Sequence, residues 1–264
     1  TINGRMADST YPVYKFFKFF FKTVLSKYTK ILTQSDIDRN KLVSIGAPED
    51  RTFVMKNLKF DVKKSDEKID IGQEGFRVII AGSTHKGEDE IVLEMFSEKL
   101  KKYSDIKLLL VPRHLTRLPQ ILPIIESLGL NYGFRSKEDT FKTKDVIILD
   151  TMGELSKMYS ICSFAFIGGS FNKTGGHNPL EATVYSKPTI TGPSIHNFRD
   201  IYWLLSRSKA GKIVKNPKEF SDYVEILLSD SEFYEQACKD CETVFQDQQG
   251  ALDVVINELK QILK

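Results

Sequence analysis

Four short apolar runs, each followed by a helical pattern, restrict the folds open to this chain more than any other feature. The runs indicate buried strands at residues 76–81, 106–111, 145–149 and 163–167. Stretches of Ile, Val and Leu without polar alternation are typical of parallel strands covered on both faces, and the helices between them supply the crossovers. The chain is therefore predicted to be an α/β protein built on a parallel sheet.

The stretch 62–75 is polar, contains glycine and lacks a sustained apolar period, so we expect a linker there. Residues 1–61 carry two shorter strand patterns and a helix, whereas residues 76–264 hold the main sheet and end in helical segments. The sequence opens on TINGRMADS, without an initiating Met. We expect residues 1–61 to be the end of a domain whose earlier part precedes Thr1.

Composition argues against several classes of partner. A net charge of +3 over 264 residues is too small to indicate nucleic-acid binding. The four histidines have no spacing typical of zinc, and no cluster of Asp indicates magnesium. Cys238 and Cys241 form a C-x-x-C pair, but without a second pair or nearby histidines a metal or redox role is the less favoured interpretation. We expect neither a metal nor a cofactor, and the low cysteine content fits a reducing compartment.

The run at 163–167 leads into a glycine loop with pairs at 168–169 and 175–176, and a helical pattern then spans 180–185. Glycines allow backbone N–H groups to approach a ligand, and a helix start carries unpaired N–H groups. Such a loop suits a phosphate. Glu181, in the first helical turn, would repel a phosphate and fits a pair of ribose hydroxyls better. The pattern indicates a nucleotide site; the alternative is a tight turn that packs the helix on the sheet.

Polar residues at other predicted strand ends add to this site, because parallel sheets bind ligands outside the carboxyl ends of their strands. Arg113 can grip a phosphate or a carboxylate through two hydrogen bonds. Each residue also has an ordinary alternative role as a helix cap or a surface ion pair, and it is their convergence that favours a site for an anionic nucleotide derivative. The candidates are Ser83, Thr84, His85, Arg113, Met152, Gly153, Glu154, Asn178 and Glu181, with Ser170, Gly175, Gly176 and His177 in the glycine loop.

Residues 11–28 are dense in phenylalanine and lysine and are too short and too charged to span a bilayer. On a helix, Phe16, Phe19, Phe20 and Val24 share one face, while Lys15, Lys18 and Lys22 share another. Two interpretations stay open. The Phe face packs on the part of its own domain that is expected to precede Thr1, or the helix lies at a membrane surface with its lysines among anionic headgroups.

Seven ordered blocks resemble the 3-deoxy-D-manno-octulosonic acid (Kdo) transferases of lipid A biosynthesis, and the resemblance covers essentially the whole chain. The blocks are NGRMADS at 3–9, NLKFD at 57–61, AGSTHKGED at 81–89, VPRH at 111–114, DTMGEL at 150–155, GGS with GGHNPLEA within 168–182, and GPSIHNFRDI at 192–201. The chain departs from the family at Leu115-Thr116, where Pro-Glu is frequent, and at Ala182, where Pro is frequent. Neither departure removes a charged group from the residues expected to bind CMP.

The resemblance implies a GT-B glycosyltransferase, with a complete Rossmann-like C-terminal domain and the remnant of a second Rossmann-like domain. It implies inverting, metal-independent transfer of Kdo from CMP-Kdo to a lipid A precursor (lipid IVA), in the lipopolysaccharide biosynthesis of Gram-negative bacteria. The expected place is the cytoplasmic face of the inner membrane, reached peripherally or through an anchor upstream of Thr1. The family's general base is a Glu upstream of Thr1, so we expect this chain to bind donor weakly at most and not to catalyse transfer.

Carried over block by block, the resemblance implies that Lys59 stabilises negative charge in the transition state. The residues that it assigns to the CMP part of the donor are Pro112, Arg113, Met152, Gly153, Glu154, Asn178, Pro179, Leu180 and Glu181. Two other functions stay open. One is a different GT-B enzyme that uses UDP, and the other is a non-catalytic module that binds nucleotide or membrane.

Overall fold

Two short parallel strands and three helices make up the first 62 residues of the computed structural model, which describes Thr1–Ile262. The elements are α1 (Tyr11–Phe16), α2 (Lys18–Leu25), β1 (Ile31–Thr33), α3 (Asp36–Ser44) and β2 (Thr52–Val54). Strands β1 and β2 pair in parallel, and Ser35 caps α3 by accepting a hydrogen bond from the amide of Asp38 at 3.1 Å. The strand patterns and the helix predicted here are confirmed. The single helix expected over 11–28 is instead two helices, which meet at Phe17.

Residues 63–244 form a second unit around a sheet of seven parallel strands. Its strands are β3 (Arg77–Thr84), β4 (Ile106–Pro112), β5 (Tyr132–Phe134), β6 (Val146–Ile148), β7 (Phe164–Ile167), β8 (Thr189–Thr191) and β9 (Gly211–Ile213). Their order across the sheet is β5-β6-β4-β3-β7-β8-β9. The four apolar runs correspond to β3, β4, β6 and β7, which confirms the predicted α/β class. Strand β5 was not predicted, because its three residues include Gly133 and show no apolar period.

Both faces of this sheet are covered, as the apolar runs require. The helices of the second unit are α4 (Glu88–Leu100), α5 (Leu118–Ser127), α6 (Leu155–Met158), α7 (Leu180–Thr183), α8 (Arg199–Ser206) and α9 (Pro217–Ser229), followed by α10 (Ser231–Gln248). Successive residues of β3 serve opposite faces. Ile79 packs with Val92 and Phe96 of α4, whereas Ile80 belongs to the cluster that contains Met158 on the other face.

The segment expected to be a linker belongs to the second unit. It contains no helix or strand, but Ile69 and Ile71 are buried in the core beneath the sheet. The carbonyl oxygen of Ile71 accepts a hydrogen bond from the amide of Phe141 at 2.9 Å, and the amide of Ser65 donates to the Tyr185 hydroxyl at 2.7 Å. The contacts place the boundary between the units at Val62 and Lys63.

The C-terminal helix α11 (Ala251–Ile262) returns to the first unit, whereas it was expected to belong with the second. Ala251 and Val255 are buried against Leu32 and Met55. The carboxylate of Asp61 accepts hydrogen bonds from the amides of residues 250 and 252, at 2.8 and 2.6 Å, and so caps the helix. An amphipathic helix pattern does not reveal which of two sheets the helix covers, and this is why the sequence misassigned it.

Candidate functional site

The strand order places a topological switch between β3 and β7. From β3 the chain continues to β4 on one side, and after β6 it crosses to β7 on the other side of β3. The loops after β3 and β7 therefore leave the same edge of the sheet and diverge, and the crevice between them is where open parallel sheets bind ligands. Residues 83–88 and 168–181 form its two sides.

The carboxylate of Glu88 ties these two loops together. Glu88 is completely buried and accepts hydrogen bonds from the amides of His85 (2.9 Å), Gly169 (2.7 Å), Ser170 (2.7 Å) and Phe171 (2.8 Å). Four amide donors meet most of the acceptor capacity of a carboxylate, so its burial is compensated. The amides after the first glycine pair are thus already occupied, contrary to the prediction that they hold a phosphate.

Close backbone contact shapes the floor of the crevice. A Cβ atom on Gly168 would lie 2.4 Å from the carbonyl oxygen of Ser83, so no larger residue fits without a shift of backbone. Ser83 has a φ of 55° and is the extra residue in β3 where its pairing with β4 changes register. The regular ladder of β3 therefore ends where the crevice begins.

Two histidines meet across the crevice. Nε2 of His85 lies 2.9 Å from Nε2 of His177, and the two rings are stacked with their centroids 5.2 Å apart. One ring must donate a proton along this contact and the other must accept it. Burial is the largest cause that lowers the pKa of both histidines; Arg113 also lowers both values, and Glu88 opposes the change.

Residues after β4 border this histidine pair. The ring of His114 lies edge-on to that of His85, with the centroids 5.9 Å apart. The amide of Arg113 donates to the carbonyl oxygen of Thr84 at 2.9 Å, and the Arg113 side chain is exposed at this edge. The Thr84 hydroxyl is buried and donates to Asp89 at 2.6 Å. Thr84 therefore supports the site from below and does not face a ligand.

The start of α7 carries the predicted ribose-binding residue. Oδ1 of Asn178 accepts a hydrogen bond from the amide of Leu180 at 3.1 Å, and the same side chain hydrogen-bonds to Glu181. Burial raises the pKa of Glu181, and the hydrogen bond from Asn178 opposes this. Pro179 and Leu180 are buried, so their packing helps to position Asn178 and Glu181 on either side of them.

The segment after β6 reaches the same region through Tyr159. The turn that contains Tyr159 packs on α7, and burial raises the pKa of the Tyr159 hydroxyl, with the Glu181 carboxylate as the next cause. Upstream, Met152 is 89% exposed, and Glu154 accepts a hydrogen bond from the Thr151 hydroxyl. Glu154 also lies 3.7 Å from Nε of Arg135.

The predicted site residues of the second unit fall into two groups, and Lys59 lies apart from them in the first unit. Those with exposed or half-buried positions around the crevice edge are Ser83, His85, Arg113, Met152, Gly153, Glu154, His177, Asn178 and Glu181. Those that the structure buries are Thr84, Pro112, Ser170, Gly175, Gly176, Pro179 and Leu180. Ser170 has a structural role, because its hydroxyl donates to the carbonyl oxygen of Ile167 at 2.9 Å and accepts from the amide of Gly192 at 2.8 Å. Lys59 lies in the first unit, exposed on a short 3-10 turn.

Sequence analysis did not identify Glu88, Tyr159 or Tyr202 as parts of this site. The hydroxyl of Tyr202 donates to the carbonyl oxygen of His177 at 2.7 Å. Glu88 follows His85 by three residues at a helix start, a spacing that could have marked it as a loop-capping carboxylate. Within residues 1–262 no three His, Cys, Asp or Glu side chains are arranged to hold a metal ion. In the same part of the chain, every helix is too short or too polar to cross a membrane.

A family model described as 3-deoxy-D-manno-octulosonic-acid transferase (kdotransferase) matches residues 1–62. A bifunctional glycosyltransferase/methyltransferase of Fusobacterium nucleatum is 39% identical over 86% of this chain and 36% of its own length. A 3-deoxy-D-manno-octulosonic acid transferase of Haemophilus influenzae is 32% identical over 99% of this chain and 64% of its own length. The chain thus spans between about a third and two thirds of the length of these two curated relatives.

Solved structures extend the comparison to the site. The C-terminal CMP-Kdo binding domain of WaaA from Acinetobacter baumannii matches with a TM-score of 0.62 and 30% identity, over 67% of this chain and 92% of that domain. Two more distant structures share the GT-B type of fold. Anabaena Alr3699/HepE in complex with UDP and glucose matches with a TM-score of 0.56 and 12% identity, over 94% of this chain and 67% of its own. MnaA of S. aureus with UDP matches with a TM-score of 0.60 and 14% identity, over 91% of this chain and 62% of its own. Sequence identity, the near-complete match to the WaaA domain and the crevice at the β3–β7 switch agree, and the chain belongs to the Kdo transferase family.

Proposed function

We propose that the second unit binds CMP-Kdo for a transferase that moves Kdo to a lipid A precursor (lipid IVA), with inversion and without a metal ion. The observation that carries this proposal is the match to the CMP-Kdo binding domain of WaaA, which extends over 92% of that domain. The polar residues that converge at the β3–β7 crevice support it. Because the chain spans only part of its relatives, donor binding is the step of this function that the chain itself can test.

Different side chains around the crevice are proposed to bind different parts of the donor. Because Glu88 occupies the amides of residues 169–171, the phosphate of the donor is proposed to be held by the side chain of Arg113, which can form two charge-assisted hydrogen bonds to it. The two ribose hydroxyls donate to Glu181, and these bonds replace part of the hydration that this half-buried carboxylate has lost. Met152, which is 89% exposed, covers the cytosine base with its apolar side chain.

Charge on the departing CMP is stabilised by fixed cations, because its phosphate becomes a monoester as the bond to Kdo breaks. Lys59 in the first unit is proposed to contribute to this stabilisation, and Arg113 in the second unit to remain bound to the phosphate. Preorganised positive groups can perform this part of the reaction in place of a metal ion.

The first unit is proposed to contact the inner membrane peripherally, at the cytoplasmic face, where the lipid acceptor would be found. Phe16 and Phe19 are 80 and 77% exposed, although they are large and apolar. Lysines accompany them along α1 and α2, at Lys15, Lys18 and Lys22, and Lys27 follows two residues after α2. Aromatic side chains that insert at the headgroup level, together with nearby cations, suit an anionic lipid surface.

Calorimetric titration of the 264-residue chain with CMP tests the donor site. We expect saturable binding that weakens about 10- to 100-fold in Arg113→Gln and in Glu181→Gln, because each change removes a charged hydrogen-bonding partner worth about 1.5–3 kcal/mol. Lys101→Gln is the matched control, because this exposed cation follows α4 at the opposite edge of the sheet. The control should bind CMP like the unchanged chain.

UMP and UDP, titrated in parallel, separate the alternatives. Tighter binding of the uridine nucleotides than of CMP would favour a UDP-dependent GT-B enzyme. A folded chain that binds no nucleotide but still binds anionic vesicles would overturn the donor site and favour a membrane-binding module.

A further inference from the structure

The histidine pair, His85 and His177, is held by the backbone on both sides. The amide of His85 donates to the Glu88 carboxylate at 2.9 Å. The amide of His177 donates to the carbonyl oxygen of Gly168 at 3.1 Å, and the Tyr202 hydroxyl donates to the carbonyl oxygen of His177 at 2.7 Å. The short contact between the rings is therefore imposed by the two loops and does not depend on a ligand.

Several charged and titratable groups face the histidine pair. Both rings face Arg113, His114 and Glu88, and His85 also faces Arg117. Two of these groups are already paired: Glu88 with four backbone amides, and Arg117 with the buried Asp89. Arg113 and the histidine pair are therefore the groups at the crevice best placed to receive an incoming anion.

We propose that the histidine pair takes up one proton when an anion binds in this crevice, and so makes the phosphodiester of the donor bind more tightly as the pH falls. The inference rests on the proposed donor site and deepens it by assigning its pH dependence. Without a ligand, each ring carries one proton, and the proton of one ring lies between the two Nε2 atoms; an additional proton, bound at the free Nδ1 of the donating ring, makes the pair a cation beside Arg113. The anion stabilises that cation, and by linkage the cation stabilises the bound anion.

The direction of the effect follows from the burial of the rings. Burial lowers the pKa of both histidines in the free chain, so the pair is uncharged at neutral pH. A bound anion raises the pKa of the pair. Between the free and the bound pKa, each rise of one pH unit should weaken binding by up to about 10-fold.

Calorimetry with the methyl phosphodiester of CMP isolates this effect, because the probe keeps one negative charge through the pH range while CMP itself gains and loses a proton. The 264-residue chain is titrated between about pH 5.5 and 8.5, where histidines change charge. Repetition in buffers with different ionisation enthalpies counts the protons taken up on binding. The double variant His85→Gln/His177→Gln keeps amide groups near the positions of both Nε2 atoms but has no imidazole in the crevice pair to take up a proton, and Lys101→Gln serves as the control.

We expect up to one proton to be taken up by the unchanged chain and by Lys101→Gln, and none by the double Gln variant. If the diester binds to the unchanged chain without proton uptake, the inference is overturned while the donor site stands. If it binds with the same uptake in the double Gln variant, the proton goes elsewhere and the inference is likewise overturned. If the diester binds at no pH, the donor site fails, and the inference fails with it. The proton count on the unchanged chain decides the matter even if a variant does not fold.

Discussion

At the residue scale, Glu88 explains why the glycine loop has its observed shape without a ligand. One carboxylate gathers amides from the loop after β3 and from the loop after β7, which are far apart in the sequence. An anion-binding arrangement of amides is therefore filled by a side chain of the protein itself. The amides of residues 169–171 are therefore not free to bind a donor.

Glu88→Gln should destabilise the second unit by about 2–4 kcal/mol. The Gln NH₂ group would point at backbone donors, so about two charge-assisted hydrogen bonds would be lost and buried N–H groups left unpaired. Urea unfolding, followed through the fluorescence of the single tryptophan, Trp203, measures the change. Glu94→Gln, at an exposed position of the same helix, should shift stability by less than about 0.5 kcal/mol. Equal stability of the two variants would contradict the structural role of Glu88.

The sequence could predict individual residues at the crevice because the apolar runs show where the strands end. Arg113 and Asn178 follow apolar runs that end clearly, so their position at the carboxyl edge follows from the parallel sheet. The occupation of the loop amides by Glu88 could not be predicted in the same way. It depends on the register in which two distant loops approach, which the pattern of residue types does not encode.

At the scale of elements, α1 and α2 pack on the first unit through residues other than the Phe face singled out by their sequence. Tyr11, Phe21 and Leu25 pack against the small core of the first unit. Phe16 and Phe19 point away from that core and are largely exposed. One set of aromatic and aliphatic residues thus anchors the helices on the first unit, and a second set of aromatic residues is exposed to solvent.

The double change Phe16→Ser and Phe19→Ser should reduce binding to vesicles that contain phosphatidylglycerol by at least about 10-fold. The side chains lose most of the apolar surface that they would bury in the headgroup region, worth about 1.5–3 kcal/mol for each fully buried Phe. Cosedimentation with vesicles measures the bound fraction. Ile37→Ser is the matched control, because Ile37 is 68% exposed on α3 of the same unit and should leave binding unchanged. Equal loss in the control, or no loss in the double variant, would exclude this patch as the membrane contact.

Most long elements could be predicted from the sequence, and the failures share a cause. Strand β5 has only three residues, and α11 covers a sheet that its own sequence does not identify. In both cases tertiary packing determines the outcome. Long continuous apolar runs such as β3 and β4, by contrast, can be predicted as strands without knowledge of the tertiary packing.

At the scale of the whole molecule, unfolding of the second unit can be followed by a spectroscopic signal of its own. Trp203 lies in α8 of the second unit, directly after Tyr202, which holds the loop of His177. Its fluorescence therefore reports on the unit that contains the crevice, whereas circular dichroism at far-ultraviolet wavelengths reports on both units.

CMP at about 100 times its dissociation constant should stabilise the second unit by about 2.7 kcal/mol. For a unit of this size the midpoint of thermal unfolding seen by Trp203 should rise by roughly 5–10 °C. Glu181→Gln at the same CMP concentration should show a clearly smaller rise. A midpoint that does not move, in a chain that calorimetry shows to bind CMP, would place the nucleotide outside the second unit.

The central position of β3 has a consequence for how the protein is made. β3 pairs with β4 on one side, but its partner on the other side, β7, begins only at Phe164. A ribosome that adds about 5–20 residues each second needs roughly 4–16 s to pass from Thr84 to Phe164. Throughout that interval the nascent chain carries an apolar strand with one unpaired edge, the kind of surface that invites aggregation. Synthesis of this protein therefore includes a defined period in which chaperones that bind nascent chains have an exposed strand to protect.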